Sequence, residues 1–173
     1  MNCLYCQQGE EKRDLLYADE EVVVALPEQA LAPGHVLVYP KEHLTIFEVV
    51  PEKILLKCAS VANKAGMAIF EALGVQGTNV IVRNGLGAGQ NVPHFAFEVI
   101  PRQENDGLNL LWDPKPLAED ELESTLAILK DESKKKEVKV EKKEAQEIKP
   151  ESKEAKKEEW KDNPLLSNLR RIP

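Results

Sequence analysis

The sequence predicts an α+β domain: an antiparallel sheet made from two hairpins, one long helix between them, then a C-terminal helix and a flexible tail. Three observations carry this. Two short β-rich runs, residues 21–26 and 35–39, are separated by Pro27 and the Pro33-Gly34 turn. A helical pattern runs unbroken from Pro51 to Gly74. Residues 78–84 and the run His94 to Ile100 then flank a glycine-rich connection, Gly85-Leu86-Gly87-Ala88-Gly89-Gln90.

Each element has its own reason. Pro51 suits a first helical turn and Gly74 a helix stop, while Ile54, Leu55, Cys58, Val61, Ala62, Ala65, Ala68, Ile69 and Leu73 keep close to helical spacing. In the last run Phe95, Phe97 and Val99 alternate with His94, Ala96 and Glu98, which reads as a strand with one apolar face. A strand rises about 3.3 Å per residue, so His94, Ala96 and Glu98 would stand roughly 6.6 Å apart along the opposite face. Asp106-Gly107 is a turn, and residues 117–130 read as a helix with Leu122, Leu126 and Leu129 as a stripe able to pack on the body.

Residues 131–159 are Lys/Glu-rich with almost no large apolar side chains, too few to offset ordering entropy, and read as a linker. In residues 160–173, Asn163 and Pro164 start a short helix with Leu165, Leu166, Leu169 and Ile172 on one face beside Arg170 and Arg171. This segment is either a docking peptide for a protein partner or a helix that folds back on the acidic body. The organisation is therefore a domain over 1–112, a helical extension over 113–130, the linker 131–159 and the segment 160–173.

Net charge is −7 and unevenly spread: up to Lys130 there are ten basic and nineteen acidic residues. Such a body disfavours nonspecific nucleic-acid binding. No apolar run approaches the ~20 residues of a membrane span, and Met1-Asn2-Cys3 is not a charged leader, so a cytoplasmic protein is expected. Three cysteines in such a chain suggest thiol or metal chemistry, with Cys58 simply a buried small residue. Cys3-Leu4-Tyr5-Cys6 lets two thiolates reach one ion from a tight turn; a redox pair or two ordinary thiols are the alternatives.

The stretch Gly89-Gln90-Asn91-Val92-Pro93-His94-Phe95-Ala96-Phe97-Glu98-Val99-Ile100 resembles the signature of the histidine triad (HIT) nucleotide hydrolases and transferases. The resemblance covers about residues 1–112. It implies the HIT fold, a homodimer and, as in the zinc-bearing branch, a structural zinc held by Cys3, Cys6, His43 of Pro40-Lys41-Glu42-His43, and His94. It also implies a nucleotide site using Asn84, Gly89, Gln90 and Asn91, with His35 near the reacting centre, and a purine nucleotide as ligand.

The departures bear on activity. Ala96 stands where the family places its nucleophilic histidine, so no catalytic residue is assigned. Glu98 replaces a histidine or glutamine that would donate a hydrogen bond to a phosphate oxygen, and Pro27 replaces a ribose-binding Asp, with Glu28 beside it. An ionised Glu98 about 4 Å from a phosphate charge would oppose binding by roughly 4 kcal/mol at an effective dielectric near 20, with Arg83 and Arg102 as the nearby cations. The expected function is thus a zinc-binding, catalytically degenerate nucleotide-binding or scaffolding protein. The alternatives are a nucleotide phosphohydrolase or transferase with Glu98 as a non-standard base or nucleophile, acting on dinucleoside polyphosphates or nucleoside phosphoramidates, and an interaction module presenting residues 160–173.

Overall fold

A computed structural model describes residues 3–109 and 114–135. The chain divides into two units, Met1–Leu108 and Asn109–Pro173. In the first, the order is α1 (Leu4–Glu11), β1 (Leu15–Ala18), β2 (Val22–Ala25), β3 (Val36–Pro40), a 3-10 turn at Phe47–Val49, α2 (Glu52–Leu73), β4 (Gly77–Ile81), a 3-10 turn at Leu86–Ala88 and β5 (Phe97–Arg102). The five strands form one antiparallel sheet in the order β1-β2-β3-β5-β4.

The run Val22-Val23-Val24-Ala25 shows no polar alternation because both faces of β2 are covered. On one face Val22, Val24, Val36, Val38, Phe95 and Val99 meet Cys58, Ala62 and Ile69 of α2. On the other, Val23, Ala25, Leu37 and Tyr39 form a second cluster joined by Tyr5, Leu15 and Ala96. α2 starts after Pro51, with Glu52 in its first turn, and stops at Gly74, whose φ of 61° is left-handed and whose N–H bonds Phe70 O at 3.1 Å.

Several boundaries differ from the sequence reading. α1 and β1 were not foreseen, and Cys3 and Cys6 lie not on a tight turn but at the start of a helix, Cys3 as its N-cap residue. β4 ends at Ile81, so Arg83 and Asn84 lie beyond the pairing. β5 begins only at Phe97, because the N–H groups of His94 and Phe95 bond Val92 O and Leu44 O, outside the sheet ladder. The alternation nevertheless persists through the approach: Phe95 packs on the α2 side and Ala96 on the other.

In the second unit α3 spans Glu119–Lys135, longer than the 117–130 expected and reaching into the charged stretch. Leu122, Leu126 and Leu129 on it are exposed. The remainder of the linker and the whole segment 160–173 lie outside the described residues.

Candidate metal centre and the adjoining cleft

Four side chains converge where α1 starts. Cys3 is its N-cap residue and Cys6 lies in its first turn, His43 comes from the loop after β3, and His94 from the bend before β5. One ligand atom from each lies within 4.8 Å of all the others. Cys3 Sγ and Cys6 Sγ are each 3.5 Å from His94 Nδ1, and Cys6 Sγ is 3.4 Å from His43 Nδ1. A tetrahedral zinc with Zn–S near 2.3 Å and Zn–N near 2.05 Å would set sulfur and nitrogen about 3.5 Å apart, so the donor set fits that ion.

The tautomer fits as well. His94 Nε2 lies 2.9 Å from Pro40 O, an atom that can only accept, so the ring proton sits on Nε2 and the Nδ1 lone pair faces both sulfurs. Burial holds His94 below the ordinary histidine range, which keeps that lone pair free. Burial, then the neighbouring Cys3, pushes the Cys6 thiol up to about 11. Cys58 stands apart, buried against the sheet, its thiol pushed up to about 11 by burial.

A cleft of about 600 Å³ opens beside the cluster. It runs from Pro27 and Leu31 past His35 to Arg83, Asn91 and Glu98, with Leu4, Tyr5 and Gln8 of α1 along one wall. A smaller recess of about 60 Å³ continues it, lined by Gly89, Gln90, Ala96 and Glu98. The pairing of Glu98 with Leu37 in β3 and Ile81 in β4 fixes the carboxylate at the join. Tyr5, set between the two cysteines, lines both spaces, and burial followed by the charge of Glu98 pushes its phenol up to about 12.

Within these walls the expected residues take specific roles. Glu98 is 12% exposed, and its Oε2 lies 3.2 Å from Arg83 Nη2 and 3.4 Å from His35 Nε2. The Glu98 charge is therefore met by Arg83. Arg102 is elsewhere, committed to Asp106 at 2.6 Å, Asn79 at 2.7 Å and Leu108 O.

Asn84 does not line either space: its Oδ1 accepts from Phe47 N–H and its Nδ2 donates to Glu48. Gln90 faces the recess but binds the loop together, accepting from Gly85 N–H at 2.8 Å and donating to Thr45 O at 2.7 Å. Ala88, Gly89 and Gln90 N–H groups also bond within the loop. Gly89 supplies a left-handed turn at φ 79°, and Asn91 is exposed at the rim. Glu28 pairs with Arg13 at 3.0 Å.

The residues that sequence reasoning did not single out are Tyr5, Gln8 and Tyr39. Tyr5 stacks on Tyr39 with ring centroids 5.1 Å apart, and Gln8 Nε2 donates to Leu26 O at 2.7 Å. The only local signal was an aromatic placed between two cysteines.

A five-stranded antiparallel sheet backed by one long helix, with a two-cysteine, two-histidine cluster beside a cleft, defines a small α+β domain with a candidate metal centre at the cleft rim. The HIT domain profile matches residues 8–105, more than half of the chain, which belongs to the HIT family. It is 36% identical over 107 residues to an uncharacterised HIT-like protein of Methanocaldococcus jannaschii, covering 61% of this chain and 82% of that one. It is 32% identical over 118 residues to an adenylylsulfatase of Arabidopsis thaliana, covering 67% of this chain and 58% of that one.

Among solved structures, a HIT family protein of Bacillus anthracis superposes with a TM-score of 0.67 at 27% identity, covering 76% of this chain and 96% of that one. A zinc-bound histidine triad family protein of Mycobacterium smegmatis gives 0.60 at 28% identity, covering 76% and 98%. Among the described residues no helix is long and apolar enough to cross a membrane.

Proposed function

We propose that this chain is a zinc-carrying HIT protein that binds a purine nucleotide or nucleoside and has lost nucleotidyl transfer. The observation that carries the reading is Ala96. Its methyl lines the recess beside Glu98, at the place where the family's triad would present an attacking imidazole, and a methyl has no lone pair to offer phosphorus. Zinc in a zinc-bound relative and the donor geometry of Cys3, Cys6, His43 and His94 support the metal. Bound there, zinc would act structurally: with four protein ligands no coordination position is open to activate water. It would pin the start of α1, and with it Tyr5, to the sheet.

The same reading places the protein in the cytoplasm as a homodimer, the latter tested by sedimentation velocity at micromolar concentration. The activity test incubates wild type and Ala96→His with adenosine phosphoramidate and diadenosine tetraphosphate, following products by mass spectrometry. Inert wild type beside slow turnover by Ala96→His is the expected result. Turnover by wild type that Glu98→Gln abolishes would replace this reading with an enzyme of different chemistry, and silence from both would point away from nucleotides.

A further inference from the structure

Two neighbouring polar groups in the cleft, His35 and Glu98, ask for opposite things. His35 is 97% buried by complement of its 3% exposure, and its Nδ1 accepts from Leu31 N–H at 3.2 Å. That bond puts the ring proton on Nε2. Nε2–H is then a buried donor with no hydrogen-bond acceptor, since Glu98 Oε2 at 3.4 Å is poorly aligned with it. A buried donor left unmade is costly and calls for an acceptor. Glu98 is the reverse case: its Oε2, an acceptor, lies 3.2 Å from Arg83 Nη2 and 3.4 Å from His35 Nε2 in the wall of the same cleft.

We propose that the cleft takes an uncharged, hydroxyl-bearing ligand, a nucleoside, in preference to the same nucleoside carrying a 5′-phosphate. This rests on the reading of the cleft as a nucleotide-type site. A hydroxyl both accepts and donates, so one such group satisfies His35 Nε2–H and Glu98 together. A phosphate oxygen serves His35 alone and meets the Glu98 carboxylate as a like charge.

Other features of the walls agree. The charged side chains lining the cleft are Glu28, Arg83 and Glu98; Glu28 is paired with Arg13, and the Arg83 guanidinium is already paired with Glu98, so it is not free for a phosphate. Four amides of the glycine-rich loop are engaged as well. Gly85 N–H goes to Gln90 Oε1, and the N–H groups of Ala88, Gly89 and Gln90 go to carbonyls of their own loop. A space of about 600 Å³ is in the range of small-molecule sites and leaves room for a base and a ribose.

The test is calorimetric titration of the full-length, zinc-loaded chain with adenosine and with AMP, at one ionic strength, followed by the same pair on Glu98→Gln. Wild type should bind adenosine at least about tenfold more tightly than AMP. In Glu98→Gln, which keeps the shape, removes the charge and releases Arg83, AMP affinity should rise about tenfold or more while adenosine changes little. Wild type that binds AMP as tightly as adenosine, or more so, overturns the preference but leaves the nucleotide-type site standing. Binding of neither ligand overturns both. The wild-type comparison decides the question without any variant, and thermal melting confirms that Glu98→Gln is folded.

Discussion

His94 Nε2 lies 2.9 Å from Pro40 O, and that contact decides which edge of the ring meets the two cysteine sulfurs. Without it the imidazole could present either nitrogen; with it Nδ1 points into the cluster 3.5 Å from Cys3 and Cys6. The same residue thereby links the end of β3, the bend before β5 and the first turn of α1.

The first prediction concerns that link. α1, with the sequence Leu-Tyr-Cys-Gln-Gln-Gly-Glu-Glu, has few apolar side chains to hold it, so the metal should supply much of its anchorage. Purified protein should carry about one zinc per chain by elemental analysis. Cys6→Ser or a strong chelator should lower stability by about 3 kcal/mol or more, roughly 10–20 °C in Tm for a domain of this size. Ligand affinity in the cleft should fall in parallel, because Tyr5 and Gln8 travel with α1. A metal-free protein with unchanged melting would show that the cluster plays no part in stability.

A second prediction follows from Gly34. Its φ is +86°, and a Cβ built there would run into Leu73 Cδ1 and sit 3.3 Å from Pro101 Cγ. Gly34→Ala should therefore be destabilised by about 2–4 kcal/mol, from backbone strain and overpacking together. Leu73→Ala in the same chain should recover the steric part but not the strain. Urea denaturation of the two single variants and the double measures the coupling, and strict additivity would refute the contact.

How much of this was legible in the sequence depends on how local each cause is. α2 was readable to within a residue, since Pro51, the apolar spacing and Gly74 are all local signals. β2 and β3 were readable because β-branched runs lie between turn residues. α1 was not, because its eight residues have weak apolar periodicity and are held from afar, by Gln8 to Leu26 O and Tyr5 on Tyr39. The cluster ligands were readable only as two cysteines; that His43 and His94 join them came from the family resemblance. The Arg83–Glu98 pair is a consequence of register: Glu98 stands opposite Ile81, two residues before Arg83, and no single-strand pattern contains that information. Asn84 was offered to a ligand on the strength of its position, whereas tertiary contacts with Phe47 and Glu48 claim both its polar atoms.

Gln90 gives a third prediction. Its side chain accepts from Gly85 and donates to Thr45 O and Val92 O at 2.7 and 3.1 Å, so it ties the glycine-rich loop to the segment before α2. Gln90→Ala leaves these backbone groups to find other partners and should be destabilised by about 2–3 kcal/mol. Gln90→Glu keeps the acceptor for Gly85 but cannot donate to Thr45 O or Val92 O, so it should be impaired almost as much. If Gln90→Ala instead leaves Tm unchanged and lowers only ligand affinity, the residue belongs to recognition and not to the scaffold.

The last prediction is a pH dependence at the β1–β2 turn. Asp19 Oδ1 accepts from Glu21 and Val22 N–H at 2.8 and 2.9 Å, and Oδ2 lies 3.0 Å from Tyr17 OH and 2.9 Å from Lys57 Nζ. Partial burial alone would raise this carboxyl, but the hydrogen bonds from Glu21, Lys57, Val22 and Tyr17 outweigh it and hold it well below its ordinary 3.8. A group depressed in the folded state contributes stability in full above its unfolded value and loses it as pH falls toward the folded one. The Asp19 contribution should therefore be complete at pH 7, begin to fade near pH 4 and continue to fall at lower pH. Asp19→Asn keeps an acceptor for the turn amides but removes the ion pair with Lys57, so it should be about 1 kcal/mol less stable than wild type at pH 7. Any metal released from the cysteine–histidine cluster in acid would be lost from both proteins alike, so the difference between them isolates Asp19. Urea unfolding at pH 7, 4 and 2.5 should show that difference shrinking; a difference that stays constant with pH would mean the carboxylate charge does not stabilise the turn.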